Sequence, residues 1–268
     1  MTVQVHPTAI VESGASLGTG VKIGPYCIVG SETTLGDEVE LISHAVVVGR
    51  THLGAHSIVY PFASIGHQPQ DLKYAGEPST LEIGSNVTIR EHVTINPGTA
   101  GGGMVTRIGD RCLIMIGAHI GHDCHIGSDV ILSNNVTFAG HCHVDDHVVM
   151  SGYSGATQFV HIGAHAFVGG LTKVEKDVIP YGTVAGNPAV LSGLNLVGLK
   201  RRGFDREAIH KLRAAYRMIF STEGTLRERV EDASSLFADE ELVQDVVRFI
   251  ADAKDRPLTF PPNGHGGE

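Results

Sequence analysis

The chain has 268 residues, a formal net charge of −9, and charged side chains at 18% of its positions. This charge argues against nucleic acid as the main partner, because neutralising phosphates requires clustered Lys and Arg. No apolar run approaches the roughly 20 residues that span a bilayer. The N-terminus also lacks the basic segment and apolar core of a signal peptide. We therefore expect a cytoplasmic protein with no stable membrane insertion.

An aliphatic residue recurs every six positions from Val5 to Ile65, again over 83–95, and with few lapses from Ile108 to Val174. Four residues after each aliphatic residue stands a small or β-branched one. Alternate residues of a strand face the same side, so each unit is a short strand with two inward side chains, followed by a turn. Three units make a triangular coil of eighteen residues. Stacked coils predict a parallel β-helix of hexapeptide repeats.

Two interruptions of the repeat predict loops at about 66–80 and 96–106, ejected from a β-helix that spans residues 1–189. Solenoids often place such insertions on the binding face. All four cysteines occupy the small inward position, where buried and reduced thiols are expected.

The last part of the chain, residues 190–268, predicts an α-helical C-terminal domain. Apolar residues recur at helical spacing after Asp205. Thr225 and Glu228 form a capping-box signature for the next helix. A third helix is expected over about 240–253, and the prolines from Pro257 onward are expected to end the ordered structure.

The motif AHIGHDC, Ala118–Cys124, is the candidate catalytic centre. With eighteen residues in a coil, His122 lies beneath Gly140 and Asp123 beneath His141, as one external patch. A neutral imidazole can accept a hydroxyl proton, and a carboxylate can orient it. A glycine lets a backbone N–H approach a developing oxyanion. The patch therefore predicts direct acyl transfer from a thioester, although spacing alone leaves open whether its histidines are functional.

Several longer stretches resemble the UDP-N-acetylglucosamine 3-O-acyltransferases of lipid A biosynthesis; they are VHPTAIV, QDLKYAGEP, TIREHVTI, AHIGHDC, AGHCHVDD and NLVGLKRRGF. The resemblance implies a left-handed β-helix and a homotrimer with sites between subunits. It also implies transfer of a 3-hydroxyacyl chain from acyl carrier protein to the glucosamine 3-position of UDP-N-acetylglucosamine, the first step of lipid A and lipopolysaccharide biosynthesis. No cofactor is expected beyond the phosphopantetheine of the carrier protein, and no metal.

The same resemblance assigns roles to individual residues. His122 would be the general base, Asp123 its orienting partner and Gly140 the oxyanion donor through its N–H. Gly170 and Phe167 would set the acyl length. The carrier-bound donor or the UDP-sugar would be held by a larger set: Gln70, Asp71, Lys73, His119, His141, Gln158, Asn195, Arg201 and Arg202.

Four positions depart from the pattern common in that family: Asn96, Pro97, Thr157 and Val197. They bear on the acceptor, so a UDP-sugar with a 3-amino group remains an alternative, giving an amide in place of an ester. An acetyl-CoA-dependent sugar acetyltransferase of the same fold is a second alternative. A metal-dependent lyase of the carbonic-anhydrase type is disfavoured because no two histidines are five residues apart. A non-catalytic scaffold would need neither the loops nor the helical tail.

Overall fold

A computed structural model describes residues 2–253 and 256–262. Short strands dominate it, most of them two residues long. In chain order they are Gln4–Val5 (β1), Ile10–Val11 (β2), Ser16–Leu17 (β3), Lys22–Ile23 (β4), Ile28–Val29 (β5), Thr34–Leu35 (β6), Glu40–Leu41 (β7), Val46–Val47 (β8), Thr51–Leu53 (β9), Ile58–Val59 (β10), Ser64–Ile65 (β11), Thr80–Ile83 (β12), Thr88–Ile89 (β13), Thr94–Ile95 (β14), Val105–Ile108 (β15), Leu113–Ile114 (β16), His119–Ile120 (β17), His125–Ile126 (β18), Ile131–Leu132 (β19), Thr137–Phe138 (β20), His143–Val144 (β21), Val149–Met150 (β22), Gly155–Ala156 (β23), His161–Ile162 (β24), Phe167–Val168 (β25), Lys173–Val174 (β26), Gly182–Ala185 (β27) and Val190–Leu194 (β28).

These strands form three sheets of 11, 9 and 8 strands, and the chain visits each sheet once per coil. Neighbouring strands pair in parallel with a register of eighteen residues, as between Ile10 and Ile28. The two insertions leave the ladder intact, since Ile58 pairs with Thr88 and Thr94 with His119. The predicted parallel β-helix is confirmed.

The core of the prism consists of the two inward positions of each repeat. Val21 and Ile23, for example, are 0% and 2% exposed. Burial of these stacked aliphatic side chains from coil to coil is the main stabilising term of such a fold. The four cysteines are buried and free, as expected. Burial raises the pKa of the Cys112 thiol to about 11, which keeps this thiol protonated.

One antiparallel strand follows the last coil of the parallel β-helix. Strand β28 pairs antiparallel with β27 and belongs to the 11-stranded sheet, so sheet structure continues to Leu194, beyond the expected end at residue 189. In the part of the chain that the structure describes, four helices follow: Leu196–Arg201 (α1), Arg206–Ile219 (α2), Leu226–Leu236 (α3) and Glu241–Ala253 (α4). Among residues 2–253 and 256–262, no helix has the length and apolar character needed to cross a membrane.

The helix starts agree with the capping signals in the sequence. The Asp205 side chain accepts hydrogen bonds from the first turn of α2. Thr225 and Glu228 form the complete capping box of α3. Each interaction satisfies N–H groups that have no partner within the helix.

The segment after α4 was expected to be disordered from Pro257 onward, and for residues 257–262 this expectation is wrong. The Pro257 carbonyl accepts a hydrogen bond from the Asp177 N–H, and the Thr259 N–H donates to the Asp177 carbonyl. The Arg256 Nε donates to the Asp177 carboxylate at 2.7 Å. The segment is therefore hydrogen-bonded to the last coil.

Candidate active site

Both ejected loops leave the β-helix at the same corner, where the 9-stranded sheet turns into the 8-stranded sheet. The first loop, residues 66–79, joins β11 to β12, and the second loop, residues 96–104, joins β14 to β15. Directly after them along the stack, residues 121–124 and 139–142 make the same turn in the next two coils. We call this edge of the prism the loop corner, and the motif AHIGHDC lies on it.

His122 and Asp123 form a buried hydrogen-bonded pair at the loop corner. The Nδ1 atom of His122 lies 2.8 Å from Oδ2 of Asp123. An ionised carboxylate only accepts hydrogen bonds, so the proton of this bond is on Nδ1 and the Nε2 lone pair is free. The exposed fractions of the two residues are 7% and 4%. The expected patch thus lies on the outside of the prism, but its His122 and Asp123 are buried from solvent.

Gly140 lies one coil further on, against the imidazole ring. A Cβ at Gly140 would lie 2.4 Å from Cε1 and 2.6 Å from Nε2 of His122. Only a glycine fits at this distance, because real Cβ atoms do not approach other atoms so closely. Among the described residues, its N–H donates to no protein acceptor. This donor is therefore available beside the free side of the imidazole.

His141 completes the cluster. Its ring meets the ring of His122 edge-on at a centroid distance of 4.9 Å and stacks on Phe159 at 4.6 Å. The turn itself is fixed by a hydrogen bond of 2.9 Å from the His141 N–H to the His122 carbonyl. His122, Asp123 and His141 each offer one possible metal-ligand atom, all within 4.8 Å of one another. The expectation of a metal-free site stays a prediction.

His119 lies on the outer face of the 9-stranded sheet, next to the loop corner. Burial, with a smaller contribution from His122, lowers the pKa of His119. Its Nδ1 lies 2.7 Å from the Thr94 hydroxyl. His119 lines a groove of about 560 Å³ along this sheet, which Thr157 also lines. Gln158 is exposed at the loop corner, one coil after Gly140.

A second group of predicted residues lies on a different face. Phe167, Asn195, Arg201 and Arg202 line a groove of about 700 Å³ between the 11-stranded sheet and α1. Asn195 is the N-cap of α1, and its amide also donates to the His165 carbonyl at 2.9 Å. In a triangular prism this sheet lies opposite the loop corner. A single chain therefore does not bring these residues to His122.

The remaining predicted residues lie elsewhere. Gly170 is exposed at the corner between the 11- and 9-stranded sheets, and a Cβ there would have its closest neighbour at 3.4 Å. In the first loop, the Lys73 N–H donates to the Asp71 carboxylate at 3.0 Å, and Gln70 is exposed. Within residues 2–253 and 256–262, no hydrogen bond or ion pair joins these loop residues to the His122 cluster.

Sequence reasoning missed the residues that the second loop brings to Asp123. The Thr99 N–H donates to Oδ1 of Asp123 at 2.8 Å, and its hydroxyl donates to Oδ2 at 2.6 Å. The Thr106 hydroxyl accepts from the Asp123 N–H at 2.8 Å. No periodic signal identifies Thr99, because the insertion breaks the register. Phe159 could have been found, since it lies eighteen residues after His141.

The histidines of the 8-stranded sheet stack as predicted. Ring centroids are 5.6 Å apart for His125 and His143, and 4.7 Å apart for His143 and His161. The His161 Nε2 lies 2.9 Å from Oδ1 of Asp145, which makes an ordinary ion pair when the ring is charged. That these three histidines have no chemical role stays a prediction.

Comparisons with known proteins agree on one family. Residues 177–259 match the family described as UDP N-acetylglucosamine O-acyltransferase, domain 2, and residues 106–140 match the bacterial transferase hexapeptide. A relative from Rhizobium etli, named acyl-[acyl-carrier-protein]–UDP-N-acetylglucosamine O-acyltransferase, is 47% identical over 98% of this chain and 97% of its own. A relative of the same name from Agrobacterium fabrum is 43% identical over 97% of each chain.

Solved structures give the same result. The UDP-N-acetylglucosamine O-acyltransferase of Moraxella catarrhalis superposes with a TM-score of 0.92 at 42% identity, covering 97% of this chain and 100% of its own. Coiled hexapeptides, two ejected loops and a His-Asp pair at their shared corner define an acyltransferase of the hexapeptide-repeat class. The relatives that match this chain over nearly its full length identify the family within this class. The chain belongs to the UDP-N-acetylglucosamine O-acyltransferase family.

Proposed function

We propose that this enzyme transfers a 3-hydroxyacyl chain from acyl carrier protein to the 3-hydroxyl of the glucosamine unit of UDP-N-acetylglucosamine, in the cytoplasm, as the first step of lipid A biosynthesis. The observation that carries the proposal is the His122–Asp123 pair, whose free Nε2 lies beside the unobstructed Gly140 backbone. This pair lies in a chain that matches the Rhizobium etli O-acyltransferase over nearly its full length.

The arrangement supports a direct transfer. The Nε2 of His122 takes the proton of the sugar hydroxyl as the oxygen attacks the thioester carbonyl carbon. The negative charge that develops on the carbonyl oxygen accepts a hydrogen bond from the Gly140 N–H. When the tetrahedral intermediate collapses, the C–S bond breaks and His122 returns the proton to the leaving thiolate. Asp123 stabilises the imidazolium between these steps.

A homotrimer would complete the site. The groove that holds Phe167, Arg201 and Arg202 lies on the face opposite the loop corner of the same chain. A rotational assembly can bring this face of one chain to the loop corner of its neighbour, because heterologous contacts close into rings. In that assembly Arg201 and Arg202 would meet phosphates, for which arginine forks are well suited. The first loop would reach the same interface.

An assay decides whether the acceptor carries a hydroxyl or an amino group at the 3-position. The curated relatives are named O-acyltransferases, which favours a hydroxyl acceptor. Of the unusual positions, buried Asn96 uses its amide to donate to the His67 and Gln68 carbonyls, so it holds the two loops together. Thr157 lines the groove beside His119, and Val197 lines the groove that holds Arg201 and Arg202, so both positions are open to contact with an acceptor.

The test is a direct assay with 3-hydroxyacyl carrier proteins of different chain lengths and two acceptors, UDP-N-acetylglucosamine and its 3-amino analogue. We expect an ester product from the first acceptor, identified by mass and by its lability to mild base. A base-stable amide formed only from the second acceptor would replace O-acylation by N-acylation. Turnover of neither acceptor would overturn the assignment.

A further inference from the structure

The second loop closes directly over the carboxylate of Asp123. Thr99 is 3% exposed, and the Asp123 side chain is fully buried. A Cβ at Gly102 would lie 2.0 Å from the Asp123 carboxylate carbon, so the loop backbone lies against this group. Water is therefore kept from the Asp123 carboxylate.

Thr99 makes two of the three hydrogen bonds that hold this carboxylate. Its N–H donates to Oδ1 at 2.8 Å and its hydroxyl donates to Oδ2 at 2.6 Å. The third donor is Nδ1 of His122, also on Oδ2, at 2.8 Å. The Thr99 hydroxyl and the imidazole thus share one oxygen atom. Their joint geometry fixes the carboxylate plane and, through it, the imidazole ring.

The backbone of Asp123 is held from the same side. In the next coil the His141 N–H donates to the carbonyl nineteen residues earlier, that of His122. The carbonyl nineteen residues before Asp123, that of Met104, accepts instead from the Thr80 N–H, and the Asp123 N–H donates to the Thr106 hydroxyl at 2.8 Å. Thr106 is completely buried. Asp123, which has a positive φ of 58°, is therefore fixed through side chain and backbone together.

The second loop is itself anchored to the first loop. The Ala100 N–H donates to the Glu77 carboxylate at 2.9 Å, and the Asn96 amide donates to the His67 carbonyl at 3.0 Å. The Gly98 N–H donates to the Thr80 carbonyl at 3.2 Å. These contacts limit the movement of Thr99 relative to the prism.

We infer that the second loop is a clamp on the catalytic pair and that Thr99 is a positioning residue, which acts through Asp123 on His122. This inference rests on the proposed general-base role of His122. The ionisable groups that face the imidazole are Asp123 and His141, with His119 on the adjoining sheet. Of these, Asp123 is the one that Thr99 contacts.

Thr99→Val removes the hydroxyl and preserves the shape of the side chain, whereas Thr99→Ser retains the hydroxyl. A hydrogen bond to a charged group is strong enough that we expect kcat to fall by about 10- to 100-fold in Thr99→Val, with KM nearly unchanged. The acidic limb of the kcat–pH profile should move, because the oxygen shared with the imidazole loses a donor. Thr99→Ser should restore both values. Thr34→Val, on the outer face of the 8-stranded sheet, is the matched control and should leave kcat unchanged.

A double-mutant cycle separates positioning from a merely structural role. In an Asp123→Asn background, Thr99→Val should cost less than threefold, because the group it positions has already been replaced. The clamp hypothesis would be wrong if Thr99→Val caused its full loss of kcat in the Asp123→Asn background. It would also be wrong if Thr99→Val left kcat, or the acidic limb of the kcat–pH profile, unchanged in the wild-type background. So would failure of Thr99→Ser to restore activity while its Tm matches the wild type.

The clamp can also be tested if the proposed function fails. Diethyl pyrocarbonate modifies neutral imidazoles, and peptide mass mapping gives the rate at His122 as a function of pH. We expect the midpoint of this profile to move in Thr99→Val and to return in Thr99→Ser. An unmoved midpoint would overturn the clamp, whatever sugar the enzyme acylates. Absence of acyl transfer by the wild-type protein would instead overturn the proposed function.

Discussion

The Nδ1 of His122 lies 2.8 Å from Oδ2 of Asp123, with the ring of His141 edge-on to the imidazole at 4.9 Å. A positioned general base typically contributes about 10²–10⁴-fold to a rate. His122→Ala should therefore lower kcat by about that factor while Tm changes little. The measurement is acyl transfer to UDP-N-acetylglucosamine, together with a thermal melt of each protein.

His125→Ala is the matched control for this variant. His125 is three residues away, on the outer face of the 8-stranded sheet, and its ring is tilted against that of His143 at a centroid distance of 5.6 Å. It makes no hydrogen bond or ion pair with His122 or Asp123 among the described residues, so kcat should stay within about twofold of wild type, a change smaller than 0.5 kcal/mol. Equal losses in the two variants would show that the catalytic assignment of His122 is wrong.

Gly140→Ala should disable the enzyme without unfolding it. The new methyl group would lie 2.4 Å from Cε1 of His122, so the imidazole or the turn must shift. A displacement of about 1 Å can cost on the order of 10²-fold in rate. Gly152→Ala is the control, because its Cβ would meet the Asn134 carbonyl oxygen at an ordinary 3.4 Å. Wild-type kcat in Gly140→Ala would contradict the close packing of Gly140 against the His122 imidazole.

The repeat explains why part of this site could be predicted from the sequence. A period of eighteen residues places Asp123 beneath His141 and His122 beneath Gly140, because the coil that separates them carries no insertion. The register could not place Thr99, since the second loop breaks the period and its path depends on hydrogen bonds to Asp123 and to the first loop.

In the α-helical C-terminal domain, local sequence signals predict where helices begin but not how they pack. Helix starts were predictable from local capping chemistry, as at Asp205 and Thr225. The position of Arg201 depends on how α1 docks against the 11-stranded sheet, which no local signal gives. Residues 256–260 pack back on the last coil through long-range contacts with Asp177. The prolines alone therefore wrongly predicted that the ordered structure ends at Pro257.

Mixing inactive variants tests whether the site is shared between chains. If His122 and Arg201 act from different chains, an equimolar mixture of His122→Ala and Arg201→Ala, unfolded and refolded together, should recover about one site in four by random assembly. The recovered rate is compared with that of refolded wild type. Sedimentation should give a trimer throughout.

The control for this experiment is a mixture of His122→Ala with Asp123→Asn. Both changes lie on the same loop corner, so no mixed assembly contains an intact His122–Asp123 pair, and activity should not recover. Recovery in this control, or none in the first mixture despite mixed trimers, would contradict a site formed by two chains.

His165 should make folding stability depend on pH. Its ring stacks on His147 and Tyr181, and its Nδ1 is buried without a hydrogen-bond partner. Burial, followed by the positive charges of His147 and Arg202, lowers the pKa of His165 to about 4, against smaller opposing effects of Asp146 and Asp245. The unfolded chain titrates near 6.5. Between these values the unfolded state binds the additional proton.

Stability should therefore be fully present above about pH 6.5 and should fall as the pH decreases towards about 4. His165→Phe keeps a stacking ring without the titrating group, and Phe159 occupies the equivalent positive-φ turn position elsewhere in the β-helix. We expect the Tm of this variant to fall less steeply than that of wild type between pH 6.5 and 4, although their values at pH 8 can differ through packing. The measurement is Tm by differential scanning calorimetry at half-unit pH intervals. Parallel curves for the two proteins would show that His165 does not contribute to the acid sensitivity of the fold.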